Sequence, residues 1–256
     1  SSVINEFLAL VEDDLAEDGV VVPDARAKTP LPERTVLCFF QDVLKQLENS
    51  GQLRVIHHLR SEIGVNPVYA MELEGETISV VHPGVGAPLA AGFLEEMVAG
   101  GTTKVVAVGG AGALVAELAL GHPLIVTEAV RDEGTSFHYL PPSRTVLADP
   151  HGITVVTQLL NELHVPHLQA KVWTTDALYR ETRSRVERRV AEGCLAVEME
   201  AAAFMAVARY RKISFAQLLY AGDSLAGEVW DERNWWGHAD ARAVMFDLAA
   251  RAVLRL

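Results

Sequence analysis

Short runs of β-branched and other apolar residues alternate along this chain with longer stretches of helical periodicity. This alternation constrains the fold most, because strands separated by helices pair into a sheet that the helices cover. The predicted strands are residues 36–39, 78–81, 104–108, 124–127, 171–174 and 214–220. The predicted helices are residues 88–99, 153–163, 178–191, 199–211 and 239–256. We therefore expect an α/β fold with a central mixed, largely parallel sheet flanked by helices.

The length and composition favour one domain over residues 1–256. Half of the residues are hydrophobic, so the chain can bury a large core. Residues 1–34 read as an acidic lead-in that ends in a proline-rich segment at 23–32. The formal net charge of −12 argues against nucleic acid as a partner.

The sequence indicates a cytoplasmic protein with no membrane partner. No uncharged apolar run reaches about 18 residues, and the first residues lack a secretory pattern. Cys38 and Cys194 lie in apolar settings and are expected to be buried rather than reactive. The close histidine pairs at 57–58 and 164/167 lack further ligands at metal spacing, so we expect no metal and no cofactor.

Two carboxylates flank a methionine at the start of an apolar helical stretch, in the run Val197-Glu198-Met199-Glu200-Ala201. In a strand or turn, Glu198 and Glu200 point to the same side. A buried carboxylate needs a hydrogen-bonding partner, and the vicinal hydroxyls of a sugar are suitable. The alternative is that acidic residues stand here because a helix N-terminus favours negative charge.

This run resembles the ribose-binding signature of the nucleoside phosphorylase superfamily, which includes the related nucleosidases. Further stretches follow in family order, so that the resemblance covers roughly residues 78 to 225. They are HPGVGAP at 82–88, VVAVGGAGAL at 105–114, VRDEGTSFHYLPP at 130–142 and AGD at 221–223. The resemblance implies that Glu200 binds ribose hydroxyls, with Met199 beneath the sugar and Glu198 beside it.

Asp223 follows an apolar strand, Leu218 to Gly222, at its expected carboxyl end. Cleavage of an N-glycosidic bond leaves negative charge on the departing base, so an acid is needed there. The resemblance implies that Asp223 donates a proton to the base, as an aspartate does in purine-cleaving members. The alternative is that Asp223 caps a turn.

The glycine-rich turn Gly109-Gly110-Ala111-Gly112 is expected to follow a strand and open a helix, where backbone amides can cradle an anion. The sequence departs from the phosphorylases here. Their phosphate-gripping arginine is replaced by Ala107, and their early Gly-Asp-Pro loop is unrecognisable near Phe39. Arg60 and Arg131 are replacement cations, because arginine is a natural phosphate clamp. Either can equally be a surface residue paired with a neighbouring acid.

Aromatic residues from two segments are the candidate base contacts. Phe137 and His138 lie in the RDEGTSFHYLPP loop, while Trp173 and Tyr179 lie in the segment that faces the base in the family. An aromatic ring such as that of Trp173 stacks on any base. The glutamine and arginine that read uracil in uridine phosphorylases are absent, and Asp223 slightly favours a purine.

The sequence therefore predicts an enzyme that cleaves the N-glycosidic bond of a nucleoside, nominally by phosphorolysis to free base and ribose 1-phosphate. Phosphate is then the co-substrate. The first alternative is a nucleosidase that uses water, and the second is a nucleoside-binding protein without turnover. The resemblance also implies a homo-oligomer, either a dimer or a hexamer built from dimers.

Overall fold

A computed structural model of the chain describes residues 8–12, 14–16, 19–23, 30–118, 120–234 and 239–256. Much of the acidic lead-in therefore lies outside the described residues. Ten strands pair into one sheet. They are β1 (Arg34–Cys38), β2 (Arg54–Ser61), β3 (Gly64–Leu73), β4 (Glu76–Val81), β5 (Lys104–Ala113), β6 (Pro123–Asp132), β7 (Thr145–Leu147), β8 (Leu168–Thr175), β9 (Cys194–Glu198) and β10 (Ser214–Ser224).

The helices that the structure describes run between these strands. They are α1 (Gln41–Asn49), α2 (Ala87–Ala99), α3 (Pro150–Glu162), α4 (Arg183–Ala191), α5 (Ala201–Arg211) and α6 (Ala239–Arg255). Single 3-10 turns occupy Ala9–Val11, Thr135–His138 and Leu178–Arg180. Within the described ranges, no helix is long and apolar enough to cross a membrane.

The sheet is mixed, and part of it closes on itself. Its order is β10-β6-β8-β9-β5-β1-β4-β3-β2, and β10 also pairs with β5. Strands β5, β10, β6, β8 and β9 therefore form a closed ring. Parallel pairs join β1 to β4 and β5, β5 to β10, and β8 to β6 and β9. The fold is the predicted single-domain α/β fold, with a mixed sheet between helices.

Helices cover both faces of the sheet. One core lies on the side of α2 and α5 and contains the alanine-rich face of α5 from Ala201 to Ala208. The other core lies on the side of α1, α3 and α6 and contains aromatic residues such as Phe40 and Tyr220. Small residues on α5 let this helix pack closely against α2 and the sheet. Cys38 and Cys194 are free and buried, as predicted.

The structure differs from the prediction at the glycine-rich segment. Strand β5 continues through Gly109 to Ala113, so the expected turn and helix start are wrong. The strand continues because β10 pairs along it from Lys104 to Ala111 and β9 pairs with Gly112. A side chain at Gly112 would overlap Leu225, which explains the glycine there.

The predicted helix at 178–191 is also shorter than expected. Its first residues form the 3-10 turn Leu178–Arg180, and α4 begins only after Thr182, whose backbone is extended. The strands β2, β3, β7 and β9 and helix α1 were missed. Helix α1 has a strongly polar exposed face, and β2 is largely exposed, so neither shows a long apolar run.

Candidate active site

A cavity of about 740 Å³ opens where the carboxyl ends of β1, β5 and β10 meet the start of α5. This edge is where ligands bind in α/β sheets. The cavity is lined by Phe39, Phe40, Gln41, His82, Val85, Gly109, Gly110, Ala111, Gly112, Leu178, Tyr179, Glu181, Val197, Glu198, Met199, Glu200, Gln217, Leu219, Asp223, Leu225, Trp230 and Arg242.

Glu198 ends β9, and its buried carboxylate is held by the protein. One oxygen accepts a hydrogen bond from the Thr174 hydroxyl at 2.5 Å. The other accepts from the backbone N–H groups of Glu200 and Ala201 at 2.7 and 2.6 Å. Glu198 therefore caps the N-terminus of α5, which is the alternative raised for it, and the turn it holds presents Glu200. We correct the ribose-binding expectation for Glu198 to this positioning role.

Glu200 is the N-cap residue of α5 and lines the cavity together with Met199. One oxygen of its carboxyl accepts a hydrogen bond from the backbone N–H of Gly86 at 2.6 Å. Gly86 has a φ of 90°, a left-handed conformation that glycine adopts without strain. The HPGVGAP segment thus contacts the Glu198-Met199-Glu200 run across 114 residues of sequence.

The two glutamates influence each other's protonation. Burial raises the pKa of Glu198 to about 7, although its three hydrogen-bond donors act in the opposite direction. Burial and the charge of Glu198 raise the pKa of Glu200. Because Glu198 receives more donors, we assign the carboxylate to Glu198 and the proton to Glu200 in the empty cavity. A protonated Glu200 can donate to one ribose hydroxyl and accept from its neighbour.

Asp223 lies near the end of β10, at a bulge. The pairing of β10 with β5 shifts register between Ala221 and Ser224, and such bulges re-aim side chains. One carboxyl oxygen of Asp223 accepts a hydrogen bond from the indole N–H of Trp230 at 2.6 Å. Asp223 is half-buried and lines the cavity, and its expected role at the base stays a prediction.

Glu181 is a second carboxyl at this end, which sequence reasoning missed. It lies between the 3-10 turn and α4 and lines the cavity. Burial, and then the charge of Asp223, raise the pKa of Glu181 to about 7. An acidic residue in a polar stretch gives no sequence signal, because only the fold brings it beside Asp223.

The opposite part of the cavity contains Phe39 rather than an open anion site. A side chain on Gly109 would lie 2.9 Å from the Phe39 ring, so this ring packs directly on the Gly109 backbone. The rings of Phe39 and His82 meet edge to face at 5.6 Å. Burial lowers the pKa of His82, and its Nδ1 accepts from the Gly84 N–H at 3.0 Å. His82 is therefore a neutral neighbour.

Arg242 of α6 is the cation that lines this cavity in the part of the chain that the structure describes. It is buried, lies over the Phe40 ring at 4.9 Å and pairs with Asp42 at 3.0 Å. Gln217 is buried beside Ala107 in the sheet, and its side-chain oxygen has no partner within the described residues. Neither residue was predicted, because Arg242 lies outside the recognised stretches and Gln217 lies within an apolar strand rather than in a motif.

The phosphate roles expected of Arg60 and Arg131 are not supported by their positions. Arg131 is buried and binds the Ser136 hydroxyl at 2.8 Å and the Pro141 carbonyl at 2.7 Å. It therefore holds its own loop together, and the phosphate role is wrong. Arg60 is exposed on β2 in a separate surface groove. A phosphate role for Arg60 could arise only at a site other than this cavity, and it stays a prediction, as does the homo-oligomer.

The structure places the four predicted base contacts in different surroundings. Trp173 is fully buried between strands and α4, and its indole N–H donates to Asp132 at 2.9 Å. Stacking of Trp173 on a base is therefore wrong. Phe137 packs on the Arg131 guanidinium at 4.0 Å, and His138 is exposed in the groove that contains Arg60. Only Tyr179 lines the cavity, where it is highly exposed.

Among the described residues, no group of three or more potential ligands could hold a metal ion. The chemistry of the cavity is that of carboxyl groups, amides, one arginine and aromatic rings. Fold and cavity together define an α/β protein whose site, at the carboxyl edge of the sheet, presents carboxyl groups at two separate places.

The profile of the Phosphorylase superfamily matches residues 33–255, and the chain belongs to this family. A guanosine phosphorylase of Halorubrum lacusprofundi is 30% identical over 140 residues, which cover 53% of this chain and 56% of that protein. A uridine phosphorylase of Treponema pallidum is 26% identical over 153 residues, covering 56% and 59%. The chain thus spans less than two thirds of the length of these relatives.

Solved structures of the family share the fold. The purine nucleoside phosphorylase of Toxoplasma gondii has a TM-score of 0.74 at 17% identity, covering 92% of this chain and 98% of that one. The uridine phosphorylase of Vibrio fischeri has a TM-score of 0.73 at 24% identity, covering 88% and 90%. At such identities, the likeness extends to the fold alone.

Proposed function

We propose that this protein cleaves the N-glycosidic bond of a nucleoside and transfers the ribosyl group to phosphate. The observation that carries the proposal is that Glu200, Met199 and Asp223 line one cavity. A nucleoside has a sugar and a base joined by one bond. A site that cleaves this bond therefore needs a carboxyl group that binds the sugar hydroxyls on one side and a proton donor for the base on the other.

In the proposed reaction, Glu200 holds the ribose hydroxyls while positive charge develops at C1′. Its carboxyl group donates to one hydroxyl and accepts from the next, which fixes the sugar in place as the C1′–N bond breaks. Asp223 hydrogen-bonds to the base as the bond breaks. Trp230 fixes one oxygen of Asp223, which leaves the other to face the base. Met199 packs beneath the sugar.

The relatives named as phosphorylases support phosphate as the acceptor. Arg242 supplies a buried positive charge at the cavity wall. The N-terminus of α1 adds backbone donors near Gln41, which lines the same cavity. We propose that these groups take the place of the strand arginine, for which this chain has Ala107.

Hydrolysis is the second candidate function, and a specific observation favours it. The Phe39 ring covers the Gly109 backbone, where amides were expected to cradle phosphate. Gln217 offers an unpartnered buried oxygen in the described part of the cavity, and a water molecule can donate to it. Water needs less space and no cation.

The test is base release from purine and pyrimidine nucleosides, measured by chromatography with and without phosphate. Release that requires phosphate and yields ribose 1-phosphate would establish phosphorolysis. Equal release without phosphate would establish hydrolysis and replace the acceptor in the proposal. Nucleoside binding without release from any compound would contradict bond cleavage and favour a binding protein.

A further inference from the structure

Glu181 faces the same cavity as Asp223 from a different element. It follows the 3-10 turn Leu178–Arg180 and precedes α4, while Asp223 comes from β10. Its carboxyl group makes no hydrogen bond or ion pair with any residue that the structure describes. The nearby Arg183 does not neutralise it, because the Arg183 guanidinium donates to the carbonyl oxygens of Leu225 and Gly227.

The charges around Glu181 favour its protonated form. Asp223 faces it from β10, and Glu200 faces the cavity from the start of α5. The cation Arg242, on α6, is paired with Asp42. Burial and the Asp223 charge together raise the pKa of Glu181 to about 7, with no cation acting against them. Two carboxyl groups in such a setting share a proton more readily than both ionise.

We propose that Glu181 is a second base-contacting carboxyl group: Glu181 and Asp223 carry one proton between them, each bonding to the leaving base rather than to the other, and so present it with a donor and an acceptor together. This inference rests on the proposed cleavage of a nucleoside. It predicts that the site prefers a base whose edge carries both a ring nitrogen that accepts a proton and an N–H group that donates a hydrogen bond.

The C1′–N bond breaks, and its electron pair is delocalised over the ring of the base. The proton of the Glu181–Asp223 pair passes to the ring nitrogen on the edge of the base that faces these two residues, which leaves two carboxylates. C1′ forms a bond to the acceptor oxygen, and the acceptor's hydroxyl proton is released to solvent. After the base departs, the pair takes up one proton from solvent.

The first test compares Glu181→Gln with the wild type on natural nucleosides and on p-nitrophenyl riboside, whose leaving group needs no proton. Glutamine keeps the size of the side chain but cannot transfer a proton. We expect kcat/KM to fall about 100-fold on natural nucleosides and less than about threefold on p-nitrophenyl riboside. The ionisation near pH 7 in the wild-type kcat/KM profile should also disappear.

Glu187→Gln is the matched control. It makes the same substitution at a residue that is exposed on α4. It should keep both the rate and the pH profile of the wild type. Glu181→Gln with wild-type rates and an unchanged pH profile would overturn the proposal. Equal losses on both substrates would also overturn it, since they indicate a structural defect.

A second measurement does not depend on turnover. Free purine and pyrimidine bases are titrated into the protein by calorimetry in two buffers of different ionisation enthalpy, which reports proton exchange on binding. We expect Glu181→Gln to bind the preferred base about tenfold more weakly and to lose the proton exchange. Unchanged affinity and exchange would overturn the role of Glu181. Wild type that binds a base but cleaves no nucleoside would instead contradict the proposed function alone.

Discussion

The part of the cavity that we propose to bind the sugar and the part that we propose to bind the base, here called the sugar end and the base end, are built in different ways. The sugar end comes from consecutive residues, Glu198 to Ala201, whose backbone amides and carboxyl groups bond to one another. The base end combines Glu181, Asp223 and Trp230 from separate segments. Trp230 is more than half exposed, whereas Glu198 and Glu200 are buried. A local, buried motif fixes the positions of its carboxyl groups. Side chains that come from separate segments can instead adjust their positions to the ligand.

This contrast suggests a division of labour. Under the proposed function, the sugar end serves every ribonucleoside, so a rigid arrangement of hydrogen bonds suits it. The base end decides which base is accepted, so its residues differ more readily among proteins that share the fold. Substitutions at the sugar end should therefore reduce turnover of all nucleosides, whereas those at the base end should change the preference among them.

The largest effect is expected at Glu200. In Glu200→Gln, kcat/KM should fall about 1,000-fold for every ribonucleoside, because the amide oxygen is taken by the Gly86 N–H and the amide nitrogen cannot accept from a ribose hydroxyl. Initial rates at low nucleoside concentration provide the measurement, with Glu187→Gln as the control. A loss confined to purines or to pyrimidines would break the comparison, since it would place Glu200 at the base.

Asp223→Asn should have the next largest effect. We expect about a 100-fold loss of kcat/KM on natural purine nucleosides, because the departing base no longer receives a proton. The loss on p-nitrophenyl riboside should stay below about tenfold. Rates for both substrates are measured with the same enzyme preparation, and equal losses would remove Asp223 from the role of acid.

Trp173 and Trp230 provide a sharper contrast. Trp230→Phe removes the donor to Asp223 and should raise KM about tenfold with little change in thermal stability. Trp173→Phe should leave KM unchanged but lower the free energy of unfolding by about 1 to 3 kcal/mol, because Asp132 loses its buried donor. Kinetics and thermal melts of both variants test this assignment. A raised KM in Trp173→Phe would return that residue to the site.

The smallest expected effect concerns stability and pH. The pKa of Glu200 is raised from 4.5 to about 8 in the folded protein, so the folded state binds more protons between these values. Its contribution to stability is therefore full below pH 4.5 and is lost as the pH rises through about 8. Tm should fall more steeply from pH 5 to pH 9 in the wild type than in Glu200→Gln. Parallel Tm curves would show that Glu200 is ionised throughout.

The fold was largely predictable because its central strands are continuous apolar runs. Strands β1, β4, β5, β6, β8 and β10 were each located from such runs. The limits of β5 and β10 were harder, since the glycines after residue 108 look like a turn. They continue as strand because β9 and β10 pair with them, a tertiary effect that local sequence does not encode.

The site was predictable only where it is local in sequence. The run Glu198-Met199-Glu200 and the aspartate after β10 were located from their own neighbourhoods, and both line the cavity. Glu181 and Arg242 were missed because neither stands in a motif. Trp173 was misjudged because a strand residue can face either the ligand or the core, and its alternation does not distinguish them.

The most direct test of the central idea measures sugar recognition. Initial rates are compared for a ribonucleoside and its 2′,3′-dideoxy analogue, with the wild type and with Glu200→Gln. If Glu200 binds the ribose hydroxyls, the wild type should prefer the ribonucleoside strongly, and the variant should lose most of that preference. If both proteins discriminate equally, the hydroxyls are recognised elsewhere, and the assignment of Glu200 to the sugar is wrong.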